Sequence, residues 1–118
     1  MANTYSQIYI QIVFAVKGRQ NFIKESFRDE LQKYMTGIIT NKKKKLYAIY
    51  CMPDHTPILI SIKPDISVSD IVRDIKANSS SFIKEKKFIN NLFSWQEGFG
   101  AFSYSKSQAS TVVKYILN

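Results

Sequence analysis

The only histidine in the chain, His55, opens the run "HTPILISI", and Pro57 follows two positions later. In a strand, residues i and i+2 project to the same side, so His55 and residue 57 share one face while Ile58, Ile60 and Ile62 share the other. Two histidines at that spacing can chelate one divalent cation from a rigid strand. Pro57 has no lone pair to offer a metal and no ladder N–H to donate, so the residues alone supply half of such a pair. Taken by itself, His55 reads as an ordinary histidine at a strand start.

Tyr115 is the second residue whose placement could do chemistry. With the closing segment "QASTVVKYILN" projected as a helix at about 100° per residue, Ala109, Val112, Val113, Ile116 and Leu117 fall into one apolar sector. Gln108, Thr111, Lys114 and Tyr115 fall outside it. A nucleophilic phenol would have to sit at that edge, with Lys114 beside it. The same position suits a tyrosine that merely flanks an apolar face with its hydroxyl in water.

The third set is basic and aromatic. The chain has 17 Lys+Arg against 9 Asp+Glu, a formal net charge of +8, which makes a polyanion the first partner to consider. Positive charge also serves plain solubility. Arg19, Lys42 to Lys45, Arg73, Lys76, Lys84, Lys86 and Lys87, with Lys106 and with Lys114 on the last helix, could track a phosphate backbone. Phe99, Phe102 and Tyr104 could stack bases, although alternating aromatics in a strand more often build core. A Walker loop, a dinucleotide fingerprint and zinc-type Cys/His spacing are all absent from the sequence. Cys51 and His55 meet at a strand junction, a poor arrangement for a Cys–His catalytic pair.

The elements that must position these residues follow from periodicity. Ile8, Ile10, Ile12 and Phe14 alternate with Tyr9, Gln11, Val13 and Ala15, which predicts a strand ending near Lys17-Gly18. "KESFRDELQKYMTGIITN" places Phe27, Leu31, Tyr34, Met35 and Ile38 at helical spacing, and "NKKKK" connects onward. "KLYAIYCM" and "HTPILISI" read as two strands joined at Pro53-Asp54, the second closed by Lys63-Pro64. "ISVSDIVRDIKANSSSFIKEK" is a helix with Ser67 as N-cap and Val68, Ile71, Val72 and Ile75 on one face. "GFGAFSYS" is a fourth strand, and Ser107 is the expected cap of the last helix.

The order predicts an α+β fold: a ferredoxin-like βαββαβ antiparallel sheet with both helices on one face, plus a C-terminal helix carrying Tyr115. At 118 residues the expectation is a single domain over 1–118. The lone Cys51 in a lysine-rich chain predicts a reducing cytoplasm. The apolar N-terminus is interrupted by Tyr9 and Gln11, so a strand is expected there and not a membrane span.

Several stretches together resemble the single-tyrosine HUH transposases of the smallest bacterial insertion sequences and their repeat-associated relatives. They are "IVFAVKGRQ", "YCMPDHTPILISI", "ISVSDIVRDIKANSSSFI", "WQEGFGAFSYSKSQ" and "VVKYILN", in the family's order and spanning nearly the whole chain. The resemblance implies a homodimer acting on single-stranded DNA hairpins, with Mg²⁺ or Mn²⁺ held by a His-hydrophobic-His pair. A helical tyrosine would attack the scissile phosphate, giving a 5′-phosphotyrosine and a free 3′-OH. By motif, His55 matches the first metal histidine and Tyr115 the nucleophile. Pro57 occupies the second ligand position and Thr56 the hydrophobic slot. The family pattern continues to a glutamine four residues past the tyrosine, whereas this sequence ends at Asn118. The expectation is a DNA-binding transposase-type protein whose metal-dependent cleavage and rejoining are impaired. The alternative is a non-catalytic DNA-binding remnant or domesticated dimeric module of the same fold. An unrelated RNA binder is a third reading, which "GFGAFSYS" echoes only loosely.

Overall fold

Strand β1 (Ile8–Ala15) and strand β3 (His55–Ile62) lie antiparallel at the centre of a four-stranded sheet of order β2-β3-β1-β4, with β2 at Lys45–Ile49 and β4 at Gly100–Tyr104. Helix α1 (Glu25–Asn41) follows β1, α2 (Val68–Lys86) follows β3, and α3 (Lys106–Leu117) closes the chain. This is the arrangement in the computed structural model, which describes residues 8–42, 44–62, 67–89 and 92–118. It is the expected ferredoxin-like α+β fold. The Lys63-Pro64 strand end proposed from sequence lies outside the described residues.

The period of two in β1 and β3 sorts their side chains cleanly. Ile10, Ile12 and Phe14 join Ile58, Ile60 and Ile62 on the face covered by Phe27, Leu31, Met35 and Ile39 of α1 and by Ile71, Val72, Ile75 and Ile83 of α2. Tyr9 and Leu59, with Ala48 of β2, form a second, smaller cluster beneath Ala109, Val112 and Ile116 of α3. Both faces of the sheet are therefore covered, the first by two helices and the second by one. In α1 the buried position is Ile39; Ile38, read as part of the core stripe, is only partly buried. Among the described residues, no helix is long and apolar enough to cross a membrane.

Several boundaries move from their sequence-based positions. β2 stops at Ile49, short of Met52, because Cys51 is drawn away from the ladder by α1. Its N–H donates to Gln32 Oε1 at 2.7 Å and its C=O accepts from Arg28 Nε at 2.7 Å. β4 begins at Gly100, two residues later than expected. Ser67 does cap α2, accepting from the Asp70 N–H at 3.3 Å. The cap of α3 is Ser105 and not Ser107. A capping box forms with Gln108, whose Oε1 accepts from the Ser105 N–H at 2.9 Å.

α2 ends on Lys87 in the left-handed region (φ 56°), with the Phe88 N–H returning to the Ile83 carbonyl at 3.3 Å. A side chain there is held in a conformation that glycine adopts without penalty. Lys87→Gly is expected to raise unfolding free energy by about 1 kcal/mol, read as a later urea midpoint with unchanged slope. The Cys51 thiol is buried against Met35, and burial pushes its pKa up to about 12, with Thr56 and Arg28 pulling weakly the other way. Since the thiolate is the reactive form, the folded chain at pH 8 should resist alkylation and react only on unfolding. Rapid labelling of the native chain, followed by mass spectrometry, would contradict this.

Candidate active site

The face of the sheet beneath α3 brings together the residues that sequence placed far apart. On this face β1 and β3 pair Ala15 with His55 and Val13 with Pro57, and β4 pairs Gly100 with Val13 and Phe102 with Gln11. α3 crosses above them. Its stripe Ala109, Val112 and Ile116 is buried, and Tyr115, at the edge of that stripe, is 79% exposed. Leu117, assigned to the stripe from sequence, is instead exposed.

Two grooves flank the helix. One, of about 560 Å³, is lined by Gln11, Val13, His55, Pro57, Phe102, Tyr104, Thr111, Val112 and Tyr115. The other, of about 470 Å³, is lined by Tyr50, Met52, His55, Pro57, Tyr115, Ile116, Leu117 and Asn118. His55, Pro57 and Tyr115 belong to both. Phe102 is largely exposed on this face rather than packed in core. Gln11 is buried, and its Oε1 accepts from the Tyr104 hydroxyl at 3.1 Å.

The loop that presents His55 is clamped from three sides. The side chains of Arg28 and Gln32 hold Cys51, the Ile23 N–H donates to the Pro53 carbonyl at 3.0 Å, and the Val16 N–H donates to the Asp54 carbonyl at 2.9 Å. His55 Nδ1 lies 2.7 Å from Asp54 Oδ1. The other carboxylate oxygen, Oδ2, accepts from Arg19 Nε at 3.1 Å and Nη2 at 3.0 Å. The hydrogen bond from His55, reinforced by its charge and that of Arg19, holds the Asp54 carboxyl below the usual carboxylate range against a smaller effect of burial. Sequence reasoning overlooked Asp54. The only signal available was its position just before the sole histidine.

The remaining basic candidates are spread more widely. Arg73 and Lys76 of α2 line a separate cleft of about 460 Å³ against Trp95 and Phe99. Arg73 pairs with Asp70 at 3.0 Å. Lys76 is partly buried, donates to the carbonyls of Gln96 at 2.7 Å and Gly98 at 2.5 Å, and has its pKa lowered by desolvation. Lys106 and Lys114 are exposed on α3. Arg19 pairs with Asp54 and also lines a groove with Val13, Gln96, Gly98 and Phe102.

A hard divalent cation needs several oxygen or nitrogen donors converging on one point. Among the described residues, no group of three or more His, Cys, Asp or Glu could hold a metal ion. Besides His55 the two grooves are lined by apolar side chains and by the neutral side chains of Gln11, Tyr50, Tyr104, Thr111, Tyr115 and Asn118, with no carboxylate and no second imidazole among them. The donor set does not fit a cation held firmly by the protein alone.

The four-stranded sheet with its three helices is shared with known proteins. The family model described as "Transposase IS200 like" matches residues 4–118. The chain belongs to the IS200-like transposase family. It is 24% identical over 117 residues to the ISDra2 transposase TnpA of Deinococcus radiodurans, covering 93% of this chain and 82% of that protein. A crystal structure of a transposase candidate from Deinococcus radiodurans R1 superposes with a TM-score of 0.74 at 19% identity, covering 100% of this chain and 95% of the other. A REP-associated tyrosine transposase bound to a REP hairpin matches with a TM-score of 0.67 at 16% identity, covering 98% of this chain and 68% of that one.

Proposed function

We infer that this chain is a DNA-binding protein of the transposase type, built to cleave and rejoin single-stranded DNA through Tyr115, with its metal-dependent activity impaired at Pro57. One observation carries the reading: in a chain of this family, Tyr115 is exposed on α3 and lines the same two grooves as His55. The relative bound to a REP hairpin makes a hairpin the natural substrate to test. In the proposed reaction the Tyr115 oxygen bonds to the scissile phosphorus as the bond from phosphorus to the 3′-oxygen breaks. The phenol loses its proton, and the departing strand ends as a 3′-OH. The tyrosyl phosphodiester conserves the bond energy, so an incoming 3′-OH can reverse the step. Arg19, Arg73, Lys76, Lys106 and Lys114 are the proposed backbone contacts, and a homodimer in the cytoplasm is the proposed working form.

The test is incubation with labelled hairpin DNA and Mn²⁺, followed by a denaturing gel. Wild-type chain should give a covalent adduct, and Tyr115→Phe should reduce it by about 10³-fold or more. An adduct that survives in Tyr115→Phe would sink this reading. Pro57 favours a second reading, a non-catalytic DNA-binding module. Its signature would be hairpin binding without any adduct in the wild type, and an adduct once Pro57→His is introduced.

A further inference from the structure

We propose that Asp54, held in turn by Arg19, is a positioning residue that fixes the His55 imidazole as its Nδ1–H tautomer, so that Nε2 is the atom presented as an acceptor to the grooves Tyr115 lines. The two carboxylate oxygens are committed to different partners: Oδ1 to His55 Nδ1 at 2.7 Å, and Oδ2 to the Arg19 guanidinium at 3.0 and 3.1 Å. An ionised carboxylate can only accept hydrogen bonds. The proton between Asp54 and His55 therefore sits on Nδ1, and a neutral ring carries no second proton for Nε2.

The surrounding backbone is arranged to hold this line of contacts. Gly18 at φ 71° and Arg19 at φ 56° take consecutive left-handed conformations, an expensive geometry for the arginine. That turn brings the guanidinium back to Asp54, 35 residues away in sequence. The Asp54 carbonyl is fixed independently by the Val16 N–H at 2.9 Å. Asp54 and His55 are each about a quarter exposed, at 24% and 28%, so water competes only partly for the pair. The arrangement matches the carboxylate–histidine contact that commonly sets ring orientation in binding sites.

The chemical consequence is selective. A bare Nε2 can accept a hydrogen bond from a donor in the groove or make a single bond to a cation. It cannot donate to a phosphate oxygen. The use of this acceptor rests on the proposed strand-cleaving role of the groove, but the tautomer is measured without DNA or metal.

The measurement is long-range ¹⁵N–¹H correlation on the full, uniformly labelled chain at a pH where the ring is neutral. His55 is the sole imidazole, so its two nitrogens are assigned directly. Nδ1 should resonate as the protonated nitrogen and Nε2 as the unprotonated one. Asp54→Ala should invert that preference. Asp54→Asn, whose side-chain oxygen still accepts from Nδ1–H, should restore it. A wild-type ring protonated on Nε2, or an Asp54→Ala ring still protonated on Nδ1, overturns the proposal. Should Asp54→Ala fail to fold, the wild-type and Asp54→Asn spectra decide alone. An Nδ1–H ring in a chain that forms no adduct would sink the cleavage reading and leave this one standing.

Discussion

Pro57→His is expected to tighten Mn²⁺ binding by about 10²-fold or more, since even residues that only orient metal ligands change affinity 10–100-fold. The backbone is ready for it. Pro57 lines both grooves alongside His55, so a ring at that position would converge on the same space. Sequence reading assigned Pro57 the loss of a ladder bond, and the structure locates that loss where it costs least. The Pro57 carbonyl already accepts from the Tyr50 N–H at 3.3 Å, just past the last ladder pair of β2 with β3, Ile49 with Ile58. A histidine N–H there would return the second bond of that pair. Titration calorimetry with Mn²⁺ on both chains measures the effect. Equal affinities would mean that Pro57 is not the defect.

Phe14→Ala is expected to cost about 3–5 kcal/mol of stability. Phe14 is 1% exposed and meets Trp95 edge-on with ring centroids 4.7 Å apart. The Trp95 indole N–H is itself anchored on Ser79 Oγ at 3.0 Å, so the rings cannot simply collapse into the vacated space. Small domains retain only about 5–15 kcal/mol, which places the variant near the edge of folding. Urea unfolding against Phe102→Ala is the informative comparison, because Phe102 is 53% exposed on the opposite face of the sheet. A loss at Phe14 no greater than at Phe102 would show that the core reading is wrong.

Most of the scaffold was legible because side chains alternate between two faces in β1 and β3 and apolar residues recur at helical spacing in α1 and α2. What escaped was long-range or one residue wide. An irregularity between Leu46 and Ala48 shifts the register of β2, so Tyr47 and Ala48 both meet the α3 cluster, which a period of two cannot anticipate. Ser105 and Ser107 are equally good caps by type. Only the reach of Gln108 to the Ser105 N–H separates them. Tyr115 was placed correctly at the edge of its helix, since the stripe Ala109, Val112 and Ile116 fixes the rotation. The contact of Arg19 with Asp54 was hidden because Arg19 reads as a generic cation until the left-handed turn is seen to aim it inward.

α3 lies on the sheet through three buried side chains, Ala109, Val112 and Ile116. Three such side chains are a narrow apolar margin for docking a short helix, which has little stability of its own. Twelve residues cannot be held by that margin as firmly as α1 and α2 are held by the main core. Assembly of the site is thus an equilibrium of its own. Tyr115 can leave His55 by local opening of one helix while the folded sheet and its main core stay intact.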